Sequence, residues 1–122
     1  MAIISSFKKV KLLIKKIKRT GKKIVLAEGC FDILHVGHVR YLKGAKKCGD
    51  VLFVAVNSDR NVRELKGSGR PLLPLKDRLE IIGSLECVDY AFIYNSTSTD
   101  KLLKDINPDM YAKGTDYTAK SG

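Results

Sequence analysis

The chain has only two histidines, His35 and His38, and both fall in "EGCFDILHVGHVRYL", residues 28–42, three positions apart around Gly37. Four kinds of chemistry use such a pair. A metal could take both rings, with Cys30 close by in sequence. A zinc site needs three or four protein ligands, however, and no further ligand spacing is present, so no protein-held metal is expected. Cys30 could act as a nucleophile with a histidine as base, but an orienting group and an oxyanion site would also be needed, and the sequence specifies neither. The rings could simply cap and pack the local backbone. They could also hold a phosphate, because a glycine-containing loop entering a helix presents backbone N–H groups and the positive end of the helix dipole. Gly29 and Gly37 permit a tight turn and a close approach of backbone to ligand. Imidazole N–H groups one turn apart would then clamp phosphate oxygens where charge builds up. Residue type and position alone leave capping and phosphate binding both open.

The elements around this loop follow from periodicity. Upstream, "KIVLAE" reads as a buried strand ending at Glu28; downstream, a helix runs from about His38 to Cys48 with Val39, Leu42 and Ala45 on one face. "DVLFVAV" is an unbroken apolar run, as expected of a parallel strand covered on both faces. "SDRNVRELKG" is a short helix capped by Ser58 or Asp59, "SGRPLLP" a loop, and "LKDRLEIIGSLEC" a helix with Leu79, Ile82 and Leu85 inward. "VDYAFIY", "STDKLLKDI" and "DMYAKG" continue as strand, capped helix and short strand. This alternation predicts an α/β fold, a Rossmann-like parallel sheet sandwiched by helices in a single domain spanning residues 1–122. Ligands of such sheets bind beyond the carboxyl ends of the strands. The histidine loop, "NSD" and "KGTDY" should therefore face one crevice.

The formal net charge is +10, and residues 1–23 carry nine Lys or Arg and no acid. Phe7, Val10, Leu13, Ile14 and Ile17 recur there at helical spacing, so residues 1–20 form a basic amphipathic helix with Ser5 or Ser6 as cap. A solvated outer face is the simplest reading, and one helix with a single aromatic is a thin basis for a nucleic-acid or lipid surface. Neither a nucleic-acid nor a membrane partner is expected. No run approaches the roughly 20 apolar residues of a membrane span. Three widely spaced cysteines, Cys30, Cys48 and Cys87, form no disulfide framework and suggest a reducing cytoplasm.

"GCFDILHVGH" resembles the H-x-G-H signature of the nucleotidyltransferase superfamily, which includes cytidylyltransferases and some adenylyltransferases. "GKKIVLAEGCFDILHVGHVRYLKGAKKCGD", "VAVNSD", "LKGSGRP", "DRLEIIGSLECVDY", "INPD" and "KGTDY" follow in order. Together they look like the adenylyltransferase domains of bacterial ADP-heptose synthases, over about Gly21 to Tyr117. The resemblance implies that a substrate phosphate attacks the α-phosphorus of a nucleoside triphosphate directly and releases pyrophosphate, work for positioning and charge stabilisation. His35 and His38 would be catalytic. Gly29, Cys30, Phe31 and Gly37 would bind the nucleotide, and Asp116 would face its ribose or base, with Tyr117 stacking or packing nearby. Asp32, Lys66 and Arg78 match substrate- or phosphate-binding positions; without the family, Lys66 reads as a solvated lysine and Arg78 as a helix-surface partner of Asp77 or Glu80. Asp59 reads as structural. Mg²⁺ would be carried mainly by phosphate oxygens.

The resemblance also implies a homodimer, with ATP and a sugar 1-phosphate as substrates, the heptose 1-phosphate foremost. Family members commonly carry Asn where this chain has Glu28. They usually continue past "KGxDY" into a Ser/Thr-rich stretch that opens a helix, so part of the family domain is expected to be missing after Gly122. The competing readings are a cytidylyltransferase acting on glycerol 3-phosphate or a similar small phosphate, and a non-catalytic nucleotide-binding module.

Overall fold

Val51–Asn57 is buried at every position, which only a strand covered on both faces allows. It is the central strand of a parallel sheet in the computed structural model, which describes residues 3–113. In chain order the elements are β1 (Ile3–Ile4), α1 (Phe7–Lys18), β2 (Ile24–Gly29), α2 (Val36–Lys46), β3 (Val51–Asn57), α3 (Asp59–Lys66), α4 (Leu75–Gly83), β4 (Tyr90–Tyr94), α5 (Thr99–Ile106) and β5 (Met110–Ala112). The five strands run in the spatial order β1-β4-β3-β2-β5, every neighbouring pair parallel. This is the Rossmann-like α/β architecture expected from the alternation of elements. The chain steps outward from β2 through β3 to β4, then returns to the other side of β2 as β5. The carboxyl end of β2 is thus the place where such a sheet opens a binding crevice.

Side-chain alternation along β2 divides the core in two. Val25 and Ala27 pack with Leu42 and Ala45 of α2 and Leu79 and Ile82 of α4. Ile24 and Leu26 pack on the opposite face with Val10 and Ile14 of α1 and Leu102 and Ile106 of α5. Glu28 continues the second series and so leaves the strand on the α5 side. No helix among the described residues is long and apolar enough to cross a membrane.

Three local features differ from the periodicity reading. Ile3–Ile4 adds an edge strand beside β4, where two residues are too short to carry a period-2 signal. Helix α2 begins at Val36 rather than His38, because His35 is its N-cap. Helix α4 ends at Gly83, and the "SLEC" that continues its pattern forms the turn leading to β4, with Leu85 still packed on the core. Ser6 caps α1, Ser58 caps α3 and Ser98 caps α5, each accepting from the backbone N–H three residues on.

Candidate active site

The loop between β2 and α2 is shaped by its own aromatic and histidine side chains. Phe31 has a positive φ of 49°, and its buried ring folds back over Gly29. A Cβ on Gly29 would lie 2.8 Å from the ring, so this residue must lack a side chain. Gly37 is required in the same sense by His35, whose Cε1 would lie 2.7 Å from an added Cβ. The edge of Phe31 meets His38 with ring centroids 5.5 Å apart, and the His35 and His38 rings stack at 3.9 Å.

The two histidines cap α2 reciprocally. His35 Nδ1 accepts from Gly37 N at 3.0 Å, and His38 Nδ1 accepts from His35 N at 3.2 Å. Orphan N–H groups at the helix start are satisfied by imidazole instead of the usual hydroxyl or carboxylate. Because each Nδ1 is an acceptor, each neutral ring carries its proton on Nε2. Both rings line a crevice of about 500 Å³ beyond the carboxyl end of β2. Capping and phosphate binding are therefore compatible: one nitrogen of each ring orients it on the helix, and the other is a donor suited to an anion at the helix N-terminus.

The crevice also brings together Gly29, Cys30, Phe31, Asp32 and Lys66 of the expected set. Lys66 sits in the last turn of α3, ahead of Gly67 with its positive φ of 109°. Arg70, from the "SGRP" loop, lines the crevice as well and pairs with Asp32. Asp116, with Tyr117, lies outside the described residues.

Asp32 is buried, and its carboxylate accepts from Leu72 N at 2.7 Å, from Leu73 N at 2.9 Å and from Arg70 Nε. Burial alone would push this carboxyl up, but the two backbone N–H groups and the Arg70 guanidinium outweigh it and hold the carboxyl below the ordinary aspartate value of 3.8. In this geometry Asp32 fastens the 70–73 loop to the histidine loop, and its oxygens are engaged by protein donors. A carboxylate whose folded pKa is depressed stabilises the fold at neutral pH, and the contribution is lost as pH falls through that depressed value. Asp32→Asn should therefore destabilise the protein by about 2 kcal/mol at neutral pH. Denaturant titrations should show that penalty shrinking as pH falls below the ordinary aspartate range, where the wild-type carboxylate becomes protonated.

Arg78 is placed differently from the expected phosphate contact. It is 0% exposed and does not line the crevice. Its Nη1 donates to the carbonyls of Cys30 and Asn57, both at 2.7 Å, its Nε to Leu73 O at 3.0 Å, and its Nη2 to Asp59 at 2.6 Å. The planar fork thus ties the ends of β2 and β3, the start of α3 and the 70–73 loop into one frame. Asp59 has the structural role read from the sequence, as the partner of this arginine. The surface pairing with Asp77 or Glu80 does not form, because the guanidinium points inward.

Several crevice residues were not singled out as site residues by the sequence. Asn57 is buried at the end of β3, its amide 3.7 Å from Cys30 Sγ. Tyr41 Oη donates to Ala112 O at 2.5 Å and accepts from Glu28 N at 3.4 Å, joining α2, β2 and β5. Glu28 Oε1 accepts from Thr99 Oγ1 at 3.2 Å and from Tyr111 Oη at 3.1 Å. The departure from Asn at position 28 was the only signal for this cluster. Among the described residues no group of three His, Cys, Asp or Glu is arranged to hold a metal ion.

A parallel sheet with a stacked histidine pair capping a helix at its switch-point crevice, and Lys66 and Arg70 in the same lining, defines a nucleotidyltransferase-class α/β domain. The chain belongs to the cytidylyltransferase-like family, whose model matches residues 26–121. It is 48% identical over 117 residues to the bifunctional protein HldE of Nitratiruptor sp., covering 96% of this chain and 25% of that protein. It is 44% identical over 108 residues to the bifunctional protein HldE of Helicobacter pylori, covering 88% of this chain and 23% of that protein. The chain thus spans about a quarter of the length of the curated relatives it matches. A crystal structure of the lipopolysaccharide core biosynthesis protein from Thermoplasma volcanium superposes with a TM-score of 0.67 at 38% identity, covering 75% of this chain and 73% of that one. The resemblance carried by the ordered motifs is borne out.

Proposed function

We propose that this chain transfers AMP from ATP to a sugar 1-phosphate, D-glycero-D-manno-heptose 1-phosphate foremost. An oxygen of the sugar phosphate attacks the α-phosphorus, the bond to the α–β bridging oxygen breaks, and pyrophosphate departs with that electron pair. The observation that carries the reading is the histidine pair, fixed through Nδ1 on the first turn of α2 with both rings in the crevice. Preorganised donors at a helix N-terminus stabilise charge developing on the α-phosphate and the leaving group without reorganising. Lys66, in the same lining, adds positive charge. Among the described residues no carboxylate cluster stands ready to hold a metal, which suits an Mg²⁺ ion that arrives on the phosphate oxygens and neutralises their charge. The similarity to the HldE proteins supports the adenylyl and heptose assignment. A cytoplasmic homodimer in which residues 1–122 form one domain belongs to the same proposal.

The family description favours one second reading, transfer of CMP to glycerol 3-phosphate or a similar small phosphate. Pyrophosphate release with Mg²⁺, crossing ATP and CTP with the two acceptors, separates the two. Release is expected for ATP with the heptose phosphate. Release only for CTP with glycerol 3-phosphate would transfer the assignment to the second reading. Binding of ATP without release in any pairing would make the chain a nucleotide-binding module.

A further inference from the structure

We infer that Arg70 binds a phosphoryl group of the reactants through its two terminal nitrogens; the inference rests on the proposed transfer between two phosphorylated molecules. A guanidinium carries five N–H donors on three nitrogens. Arg70 spends one of them on the protein, from Nε to Asp32 Oδ2. Its Nη1 and Nη2 have no protein partner among the described residues. Arg78, by comparison, uses all three nitrogens on protein acceptors and is wholly buried. The Arg70 side chain is 40% exposed and lines the crevice that holds both histidine rings.

The other bonds of Asp32 explain why it takes a single nitrogen. Oδ1 accepts from Leu72 N and Leu73 N, and Oδ2 accepts from Leu72 N as well, at 2.9 Å. An arginine that served only as counter-ion to a free carboxylate would give it two parallel N–H bonds. Here the backbone of the 70–73 loop already occupies the carboxylate, which is left one bond for the guanidinium. Because the group is planar, that bond also sets where its four remaining N–H donors lie. An oriented and permanently charged donor set of this kind suits an anion with several oxygens, and a phosphoryl group accepts two N–H bonds from one guanidinium. Asp32 then acts on the ligand through Arg70, as a positioning residue whose own oxygens stay with the protein. The triphosphate and the acceptor both bring a phosphoryl group into the crevice, and the donor set suits either.

The test is steady-state pyrophosphate release with Mg²⁺ and the nucleotide and acceptor that the wild type turns over, for the wild type, Arg70→Gln and Arg70→Lys, with an unfolding curve for each. Arg70→Gln removes the charge and should raise the KM of at least one reactant about 30-fold. A raised acceptor KM puts Arg70 on the acceptor phosphate, and a raised nucleotide KM puts it on the triphosphate. Arg70→Lys separates ligand binding from loop fastening. Its ammonium can still pair with Asp32, so the Tm should stay within about 3 °C of the wild type. Lysine cannot also offer the planar pair of donors, so the same KM should still rise about 10-fold. Wild-type KM values for both reactants in Arg70→Lys would overturn the inference and leave Arg70 as the counter-ion of Asp32. That variant decides alone if Arg70→Gln fails to fold. Absence of wild-type turnover in every pairing removes the transfer reaction and is a different result. Calorimetric binding of ATP and of heptose 1-phosphate then carries the test: about 30-fold weaker binding of either by Arg70→Gln supports the inference. Equal affinities in the two proteins, or no binding by the wild type, overturn it.

Discussion

His38→Asn is expected to lower kcat by about 10²–10³ while leaving the fold nearly as stable as the wild type. The asymmetry comes from the two nitrogens of the ring. The Asn oxygen takes roughly the place of Nδ1, so it still accepts from His35 N, the 3.2 Å bond that closes the cap. What Asn lacks is the Nε2–H, the only ring donor of the neutral tautomer. His38→Gln reverses the exchange: its amide nitrogen reaches toward the Nε2 position and should restore part of the rate. His38→Ala removes both functions, adding about 1 kcal/mol of lost capping to the catalytic loss. Pyrophosphate release and thermal unfolding measured on the three variants together separate the roles. Full activity in His38→Asn would reduce the histidine pair to a helix cap and remove the basis of the proposed mechanism.

How far the sequence could be read follows from where each signal comes from. Strand β3 is legible because both of its faces are buried and every residue in it is apolar up to Asn57. The crevice is legible at the level of loops, since alternation of strands and helices dictates which strand ends meet. The role of each side chain within the crevice is less so. Lys66 and Arg78 look alike in sequence, each a basic residue in a short helix. One lines the crevice and the other is entirely buried, a distinction set by the long-range acceptors at Cys30, Asn57 and Leu73 that no local pattern reveals. The Glu28, Thr99 and Tyr111 cluster is assembled from three elements separated by up to 83 positions, which only the folded register brings together. The start of the helix that the histidines cap was misplaced for a different reason. Cap signatures are written in Ser, Thr, Asp and Asn, so a helix capped by imidazole is assigned a start too late.

Arg78→Met should destabilise the protein by about 3–5 kcal/mol, a loss of more than about 10 °C in Tm. The substitution nearly conserves volume, so cavity formation is a minor part of the cost. The main part is polar: the carbonyls of Cys30, Asn57 and Leu73 lose their donor, and Asp59 loses the cation 2.6 Å away. Arg78→Lys should fare little better, because one ammonium group cannot span acceptors that the planar guanidinium reaches from three nitrogens. A phosphate contact would behave in the opposite way. It would leave the Tm unchanged, raise the KM for the nucleotide, and be partly rescued by lysine, which keeps the charge. The functional consequence of the frame is that activity in Arg78→Met should fall even well below its own Tm. The ends of β2 and β3 and the 70–73 loop, all walls of the crevice, lose their common tie. Unfolding curves and nucleotide KM for the methionine and lysine variants decide between the two roles. An unshifted Tm with a raised KM would return Arg78 to the ligand, and coincident loss of stability in both variants establishes it as the clamp on which the histidine loop is mounted.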